Sequence, residues 1–267
     1  MEHTNKDTEA LNKALSEIGT IELDESLFFL GNKVEHKISV GNIRFMTLEE
    51  YLSVQGELSL IVMNSLHMYY TFTKNMKTKE ERKNLWFLRD ADLFDVVRMV
   101  DEEGRFLFYS FYKAYVNVYS LIFTREQIVQ IMTNRDVFHE TRKAFMKMQV
   151  LTEERVTKYA MTQKAFERRK KMMIEQMKGK SPTIADIASA VSVGTGLPYK
   201  DIADYTVYQL YLSYHRIASF NDYQTSILYS TVAPKVDIVS WAEHIDMYKT
   251  DTTGDLDADD FMAKHGK

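Results

Sequence analysis

The chain has no cysteine among its 267 residues. This excludes disulfide bonds and every metal site or nucleophile that depends on a thiolate. It has only three prolines and ten glycines, and so few breakers favour long helices over a many-stranded sandwich. No run of about 18 apolar residues occurs, so we expect no transmembrane helix. The polar start predicts no signal peptide and, by default, a cytoplasmic location.

The composition that is present is typical of a globular protein, with 45% hydrophobic and 27% charged residues. The length suffices for one large domain or two ordinary ones. Met, Tyr and Phe are abundant, at 15, 16 and 15 residues. We predict a mainly α protein. It should have a small N-terminal β-hairpin, a larger N-terminal helical lobe and a C-terminal bundle of short helices.

The clearest β signal is a hairpin over residues 34–46, with a two-residue turn at Gly41–Asn42. A capping box follows at once in Thr47–Glu50, in which the threonine and glutamate side chains each bond a backbone amide of the other. It predicts a helix that runs from Leu48 toward Tyr70.

Further helices are predicted along the N-terminal lobe. One spans residues 90–102 and ends at Gly104. The aromatic-rich stretch 105–123 has apolar residues on all sides, which indicates a helix central to the core. A second capping box, Thr124–Gln127, starts the next helix.

Composition and punctuation divide the chain into five segments. Residues 1–20 form a flexible N-terminal segment and residues 21–150 the hairpin with the helical lobe. Residues 151–180 form a basic helical connector, since lysine and arginine dominate there. Residues 181–249 form a domain of short helices, and residues 250–267 form an acidic, disordered tail.

The short-helix domain begins with Ser181 as N-cap and Pro182 at the first helical position, and Gly194 or Gly196 closes that helix. A turn of helix then starts at Pro198.

Three more helices are expected after it. One spans about 206–219 with Asp204 or Thr206 as its cap, and another starts at Asn221 or Asp222 and runs to Val232. A third capping box, Ser240–Glu243, predicts a last helix.

No stretch carries a catalytic signature, and we predict no catalytic, cofactor-binding or metal-binding residue. Glu35 and Lys37, with Asp24 upstream, superficially fit a carboxylate–lysine nuclease pattern, but so short a fragment is common by chance. The seven histidines are scattered without ligand spacing. The acidic run Asp255–Asp260 lacks the glycine and glutamate that a calcium loop needs.

Nucleic-acid binding is not predicted. The net charge is −4, which gives the molecule no overall attraction to nucleic acid. The basic segment 164–180 contains a single aromatic residue, Phe166, and therefore lacks the aromatic side chains on which the bases of a single strand would stack. A solvated linking helix is the favoured interpretation.

Four tyrosines recur at every third residue in the short-helix domain. Since each α-helical residue turns by about 100°, they drift across one broad side of a helix. Tyrosine combines apolar area with a polar tip, which suits core edges and interfaces. Core edge is the favoured single role, and shared core and interface use is open. The four are Tyr205, Tyr208, Tyr211 and Tyr214.

Three stretches in this domain resemble the C-terminal part of tail assembly chaperones from phages of Gram-positive bacteria. The first is the apolar helix of residues 181–193, and the second is Gly-Leu-Pro-Tyr-Lys-Asp-Ile at 196–202. The third is Tyr-Thr-Val-Tyr-Gln-Leu-Tyr within 205–217. A further aromatic helix at 221–228 and an acidic stretch with tryptophan at 241–246 follow in the same order. The resemblance is best over residues 181–248.

The resemblance implies a non-enzymatic protein that binds the phage tape measure protein and keeps it soluble during tail assembly. It also implies homo-oligomerisation along that partner in the host cytoplasm, without nucleic acid or membrane. The alternative is a structural component of the virion, such as a tail, baseplate or connector protein. The expected partner-binding residues are Tyr205, Tyr208, Tyr211, Tyr214 and Trp241.

Overall fold

The computed structural model describes residues 23–177, 182–233 and 236–248. The chain is mainly α, as predicted, and its described residues contain one two-stranded sheet. The segments predicted as a flexible N-terminus (1–20) and an acidic tail (250–267) lie outside the described residues.

The regular elements follow one another in chain order. A 3-10 helix spans Glu25–Lys33, and strands β1 and β2 span His36–Ile38 and Gly41–Ile43. A second 3-10 helix, Trp86–Arg89, lies between α4 and α5. The α-helices are α1 (Leu48–Ser53), α2 (Gln55–Ile61), α3 (Ser65–Thr73), α4 (Lys79–Asn84), α5 (Leu93–Arg98), α6 (Tyr109–Tyr119), α7 (Arg125–Thr133), α8 (Arg135–Met148), α9 (Ala160–Met177), α10 (Ile184–Thr195), α11 (Tyr199–Ala203) and α12 (Val207–Ser230).

The predicted hairpin forms, but its turn was placed two residues too late. Ile38 pairs with Gly41, so Ser39 and Val40 make the turn and Asn42 lies inside β2. The reason is burial, since Val40 is packed into the main core in this register. Gly41 takes a φ of +113° at the start of β2, a backbone conformation that favours glycine.

The single helix predicted from Leu48 toward Tyr70 is wrong, because three shorter helices occupy that stretch. The capping box of Thr47–Glu50 does start α1, as predicted. Asn64 then accepts a hydrogen bond from the amide of His67 at 2.8 Å and starts α3. An N-cap residue has non-helical backbone angles, so it ends any continuous helix at that point.

The aromatic-rich helix α6 lies at the centre of the main core, as predicted. Its Tyr115 and Tyr119 are fully buried. Burial raises the pKa of Tyr115 to about 12, so both rings serve as neutral core residues. The capping box Thr124–Gln127 starts α7, which confirms the second box.

The helix predicted over 90–102 is shorter than expected. It ends at Arg98, because Val100 pairs with Phe106 in an isolated β-bridge. Gly104, with a φ of +78°, makes the turn of that bridge rather than closing a helix.

A buried arginine that the sequence did not reveal ties four segments of the main core together. The Arg142 guanidinium donates to the carbonyl of Ile61, at 3.1 Å from Nε and 2.9 Å from Nη2. It also donates to the Tyr115 hydroxyl at 2.9 Å and pairs with Glu153. The end of α2 is thereby fixed to α6, α8 and the segment that follows α8.

The C-terminal helices differ from the prediction at their starts. Thr183, in a capping box with Asp186, is the N-cap of α10, so the cap predicted at Ser181 with Pro182 is wrong. The capping box spans residues 183–186, so the helix starts two residues later than predicted. Gly196 closes α10 with a left-handed φ of +74°, as predicted.

The two last helix boundaries were also wrong. Helix α12 runs without interruption through Asn221 and Asp222, which are exposed and cap nothing. No glycine or proline lies there to stop it, and a polar residue inside an exposed helix costs well under 1 kcal/mol. The box predicted in Ser240–Glu243 starts no helix, since described residues 236–248 contain only turns and irregular backbone.

Candidate protein-interaction surface

Helix α12 begins at the Thr206 capping box, and its first residues pack into two apolar clusters, the main core and a smaller second cluster. Its Tyr208 belongs to the main core, where its ring lies 5.4 Å from that of Phe28, edge to face. Leu48, at the start of α1, belongs instead to the second cluster, with Val191 and Leu210. Each half of the chain therefore places a side chain in the other half's core.

Backbone groups reinforce this exchange. The amide of Leu48 donates to the carbonyl of Tyr205 at 2.7 Å, and Thr47 forms an isolated antiparallel bridge with Thr206. The two capping boxes that start α1 and α12 thus lie side by side.

The four predicted partner-binding tyrosines occupy different surroundings. Tyr208 is buried, whereas Tyr205, Tyr211 and Tyr214 are half-buried at the rim of the second cluster. Tyr211 lies close to Tyr51, and burial, with a smaller contribution from Tyr211, raises the pKa of Tyr51 to about 12. All four contribute to packing within the chain. That Tyr205, Tyr211 and Tyr214 also contact a partner stays a prediction.

A polar contact fixes the start of α12 against the first 3-10 helix. Gln209 donates from Nε2 to the carbonyl of Phe29 at 2.9 Å. Gly31, with a φ of +57°, leaves room for this side chain, since a Cβ there would lie 2.8 Å from Gln209 Nε2. The contact therefore requires glycine at this position.

Helix α12 continues far beyond these contacts. A 24-residue helix is about 36 Å long, but its buried residues are confined to Val207, Tyr208 and Leu210. Helix α10 packs along the first half of α12. The last turn of α10 lies beside Ile217 of α12, since a Cβ on Gly194 would touch the Ile217 side chain. From residue 220 onward nearly every side chain is exposed.

We call residues 220–232 the helix tip. It carries one charged residue, Asp222, and exposes five large apolar side chains. Leu228, in the last turn of α12, is 70% exposed, and Val232, two residues beyond the end of the helix, is 81% exposed. So concentrated an apolar surface with so little charge is characteristic of an interaction site. The five are Phe220, Ile227, Leu228, Tyr229 and Val232.

The C-terminal segment 236–248 returns along the base of the tip. Trp241 packs edge to face on Phe220, with 5.5 Å between ring centroids, and stays 41% exposed. Arg216 donates from Nη1 to the carbonyls of Trp241 and of Glu243, the latter at 3.0 Å. A half-open groove of about 400 Å³ lies between α12 and this segment, with Asp222, Tyr223 and Trp241 among its lining residues.

The end of this segment is anchored in the main core. Tyr248 donates from its hydroxyl to the carbonyl of Lys147 at 2.9 Å. Burial, with smaller contributions from Glu25 and other neighbouring groups, raises the pKa of Tyr248 well above its ordinary value. Trp241 is thus held between two fixed points, the Arg216 contact and the Tyr248 anchor.

The polar residues considered for chemistry do not converge. Glu35 accepts a hydrogen bond from Asn42 at 2.8 Å across the hairpin. In the part of the chain that the structure describes, no three His, Asp or Glu side chains form a group able to hold a metal ion. No helix among the described residues is both long and apolar enough to cross a membrane.

The helix tip is the feature that sequence reasoning missed. The apolar residues Ile227, Leu228 and Val232 continue the helical pattern of α12, and that pattern was the available signal. A break placed at Asn221 hid it, because it turned the second half of one long helix into a separate short one.

Each half of the chain matches a domain of one known protein family. The YomV N-terminal domain matches residues 21–158, and the YomV second domain matches residues 176–246. The chain belongs to the YomV family. The helix tip and Trp241 both lie within the match to the YomV second domain.

One curated relative matches this chain over nearly its full length. The SPbeta prophage-derived uncharacterized protein YomV of Bacillus subtilis (strain 168) is 27% identical over 228 residues. The match covers 85% of this chain and 91% of the relative. The YomV family is thus phage-derived. No solved structure matches the chain.

Proposed function

We propose that this YomV-family protein is a non-enzymatic phage tail assembly chaperone that binds the tape measure protein and keeps it soluble. The observation that carries the proposal is the helix tip, a nearly uncharged apolar helix end that leaves a well-packed body. The resemblance of residues 181–248 to tail assembly chaperones and the prophage origin of the relative support it.

The tip suits the capture of helical apolar segments. An amphipathic helix binds such a surface through anchors spaced three to four residues apart. Leu228 and Val232 have this spacing, and the exposed Tyr229 adds an aromatic side chain of the type that dominates interface energetics. The groove beside Trp241 adjoins this surface at Asp222 and Tyr223, and its own lining is more polar, with Asp237 and Glu243.

The proposal is tested by co-expression with the tape measure protein of the same phage. We expect the tape measure protein to stay in the supernatant and to co-purify with the chain. A double variant, Leu228→Ser with Val232→Ser, should reduce the recovered tape measure protein at least tenfold. The loss of two anchors of about 1.5 kcal/mol each predicts an effect of this size or larger.

Val193 offers a matched control, because it is 83% exposed but lies on α10. Val193→Ser should leave recovery unchanged. If neither solubility nor co-purification is observed with the unaltered chain, the chaperone proposal fails.

Three further expectations follow from the proposal. The protein should act in the host cytoplasm and assemble in several copies along its partner. It should also be absent from finished virions. Mass spectrometry of purified particles distinguishes this from the alternative, a structural component of the tail, baseplate or connector, which would be present in abundance. Glu35→Ala with Lys37→Ala should leave function intact, since no catalysis is proposed.

A further inference from the structure

A second exposed surface lies on the N-terminal half of the chain and is built from aromatic rings. Phe72 and Phe87 both lie against Phe108, with ring centroids 5.7 Å and 6.5 Å apart. Trp86, the chain neighbour of Phe87, is 51% exposed, with the Arg89 guanidinium 5.2 Å from its ring. Phe72, Phe87 and the half-buried Phe108 thus form one aromatic cluster, and the exposed Trp86 adjoins Phe87 in the chain.

Lysines are frequent in the chain segment between Phe72 and Trp86. Residues 74–89 contain six Lys or Arg and two Glu, and Glu81 is engaged in the capping box of Thr78. Four of the lysines are exposed, and none forms an ion pair within the residues that the structure describes. They are Lys74, Lys77, Lys79 and Lys83. We call these four lysines and the four aromatic residues Phe72, Trp86, Phe87 and Phe108 the aromatic–lysine surface.

The chain itself contains a segment of complementary chemistry. Residues 250–267 hold five aspartates and two lysines, with three large apolar residues between them. The aspartates are at 251, 255, 257, 259 and 260, and the apolar residues are Leu256, Phe261 and Met262. Exposed cations beside aromatic rings fit a segment that alternates acidic and apolar side chains in this way.

We propose that residues 250–267 bind the aromatic–lysine surface of the same chain. The described chain reaches Tyr248, which is fixed to Lys147 in the main core. Eighteen extended residues span up to about 60 Å, whereas a compact chain of this length has a radius of gyration of about 18 Å. The segment is therefore long enough to reach any face of the protein.

The other basic element, helix α9, fits this segment less well. Its Lys170 already pairs with Glu154 at 2.7 Å, and its aromatic residue Phe166 is covered by the guanidinium of Arg155. It offers Leu256, Phe261 and Met262 no aromatic cluster. The unpaired lysines and the exposed rings coincide at the aromatic–lysine surface.

The absence of cysteine makes a direct distance measurement possible in the full-length chain. Asn84→Cys, on the surface, and Gly266→Cys, in the segment, provide two sites for spin labels. At low ionic strength we expect one short, narrow distance population. At about 1 M salt, where the screening length falls to about 3 Å, it should become long and broad. Dilution should leave the short population unchanged, because the contact lies within one chain.

Two sets of variants test the chemistry of the contact. Neutralising Lys74, Lys77, Lys79 and Lys83 to Gln should abolish the short population. The matched control neutralises Lys164, Arg168 and Lys171 of α9 and should leave it intact. With Trp241→Phe, the remaining Trp86 reports on coverage of the rings, and Phe261→Ser should then shift its emission to the red.

The proposal is wrong if the unaltered chain gives a broad, salt-independent distance, or if the α9 control disturbs the contact as much as the surface variant. It is also wrong if a single-stranded oligonucleotide binds through the four lysines while the measured distance stays the same. The distance measurements involve neither the helix tip nor the tape measure protein, so their failure is distinguishable from failure of the chaperone proposal.

Discussion

The ring of Tyr208 meets the ring of Phe28 edge to face at 5.4 Å, and this contact joins α12 to the first 3-10 helix. The two residues come from opposite halves of the chain and are 180 positions apart. Phe45 completes the group, since its ring lies 5.1 Å from that of Phe28. The stability of the whole protein should therefore depend on a tyrosine that the sequence marks only as one of a series.

Replacement of Tyr208 by alanine should lower the free energy of unfolding by about 3–5 kcal/mol, the usual cost of removing a buried aromatic ring. Tyr208→Phe keeps the ring and should cost less than about 1.5 kcal/mol. Urea denaturation of both variants provides the measurement. Equal stability of the alanine variant and the unaltered chain would show that Tyr208 does not join the two halves.

Gly31 should be intolerant of any side chain. Gly31→Ala places a Cβ 2.8 Å from Gln209 Nε2 and imposes a φ of +57° on a non-glycine residue. We expect a loss of about 1–3 kcal/mol in the free energy of unfolding. Gly104 is the matched control, because it also has a positive φ but no atom within 4 Å of its Cβ position.

Gly104→Ala should therefore cost only the backbone strain. Adding Gln209→Ala to Gly31→Ala should recover the part of the loss that comes from the clash. No recovery in the double variant would assign the whole effect to the backbone.

The sequence predicted those elements whose signal is contained in a few neighbouring residues. The capping boxes predicted at Thr47 and Thr124 start helices because a hydroxyl and a carboxylate or amide three residues later satisfy free amides wherever they occur. Thr206, predicted only as one of two possible caps, forms a box of the same kind. The box predicted at Ser240 formed no helix. A capping box can start a helix but does not stabilise one that lacks an apolar face to bury.

Features that depend on distant residues could not be predicted. The hairpin turn lies at Val40 rather than at Gly41–Asn42, because the main core buries Val40. Arg142 resembles any helical arginine in the sequence, and its burial depends on the carbonyl of Ile61, 81 residues away. Of the residues predicted to bind a partner, Trp241 lies beside the helix tip, whereas the four tyrosines pack within the chain. The exposure of Leu228 could not be predicted, because it follows from where α10 ends.

Loss of Arg142 should be among the most damaging single changes. Arg142→Met removes the donors that satisfy the Ile61 carbonyl and leaves Glu153 without its cation. The expected cost is about 2–4 kcal/mol, because the buried Ile61 carbonyl and the Tyr115 hydroxyl both lose a donor. Glu153→Gln keeps the arginine in place and should cost less, since that carboxylate is partly exposed. Chemical denaturation monitored by tryptophan fluorescence would compare the two variants.

Acid should weaken the link between Arg44 and Glu50. Hydrogen bonds from the Arg44 guanidinium, at 2.7 and 2.8 Å, lower the pKa of Glu50 below its ordinary value of 4.5. A carboxyl with a lowered pKa stabilises the fold above its unfolded pKa. That contribution is lost as the pH falls below about 4.5 through the folded value.

Glu50→Gln should therefore lower the free energy of unfolding by about 1 kcal/mol at pH 7, a small effect because the pair is partly exposed. At about pH 3 the loss should be smaller, because Glu50 is then largely protonated in the unaltered chain as well. Gln can still complete the capping box, so the difference between the two pH values isolates the charge. Glu81 occupies the same position in the box of Thr78 but has no such arginine partner, and Glu81→Gln is the control. An equal pH dependence for both variants would contradict the assignment.

The bond from Gln209 to the carbonyl of Phe29 joins residues that are 180 positions apart in the chain. A ribosome adds about 5–20 residues per second, so the first 3-10 helix waits on the order of ten to forty seconds for its partner to be synthesised. During that interval Phe28 lacks the ring of Tyr208. The N-terminal half therefore leaves the ribosome as an unfinished core, and the start of α12 completes it only after residues 207–210 have been made.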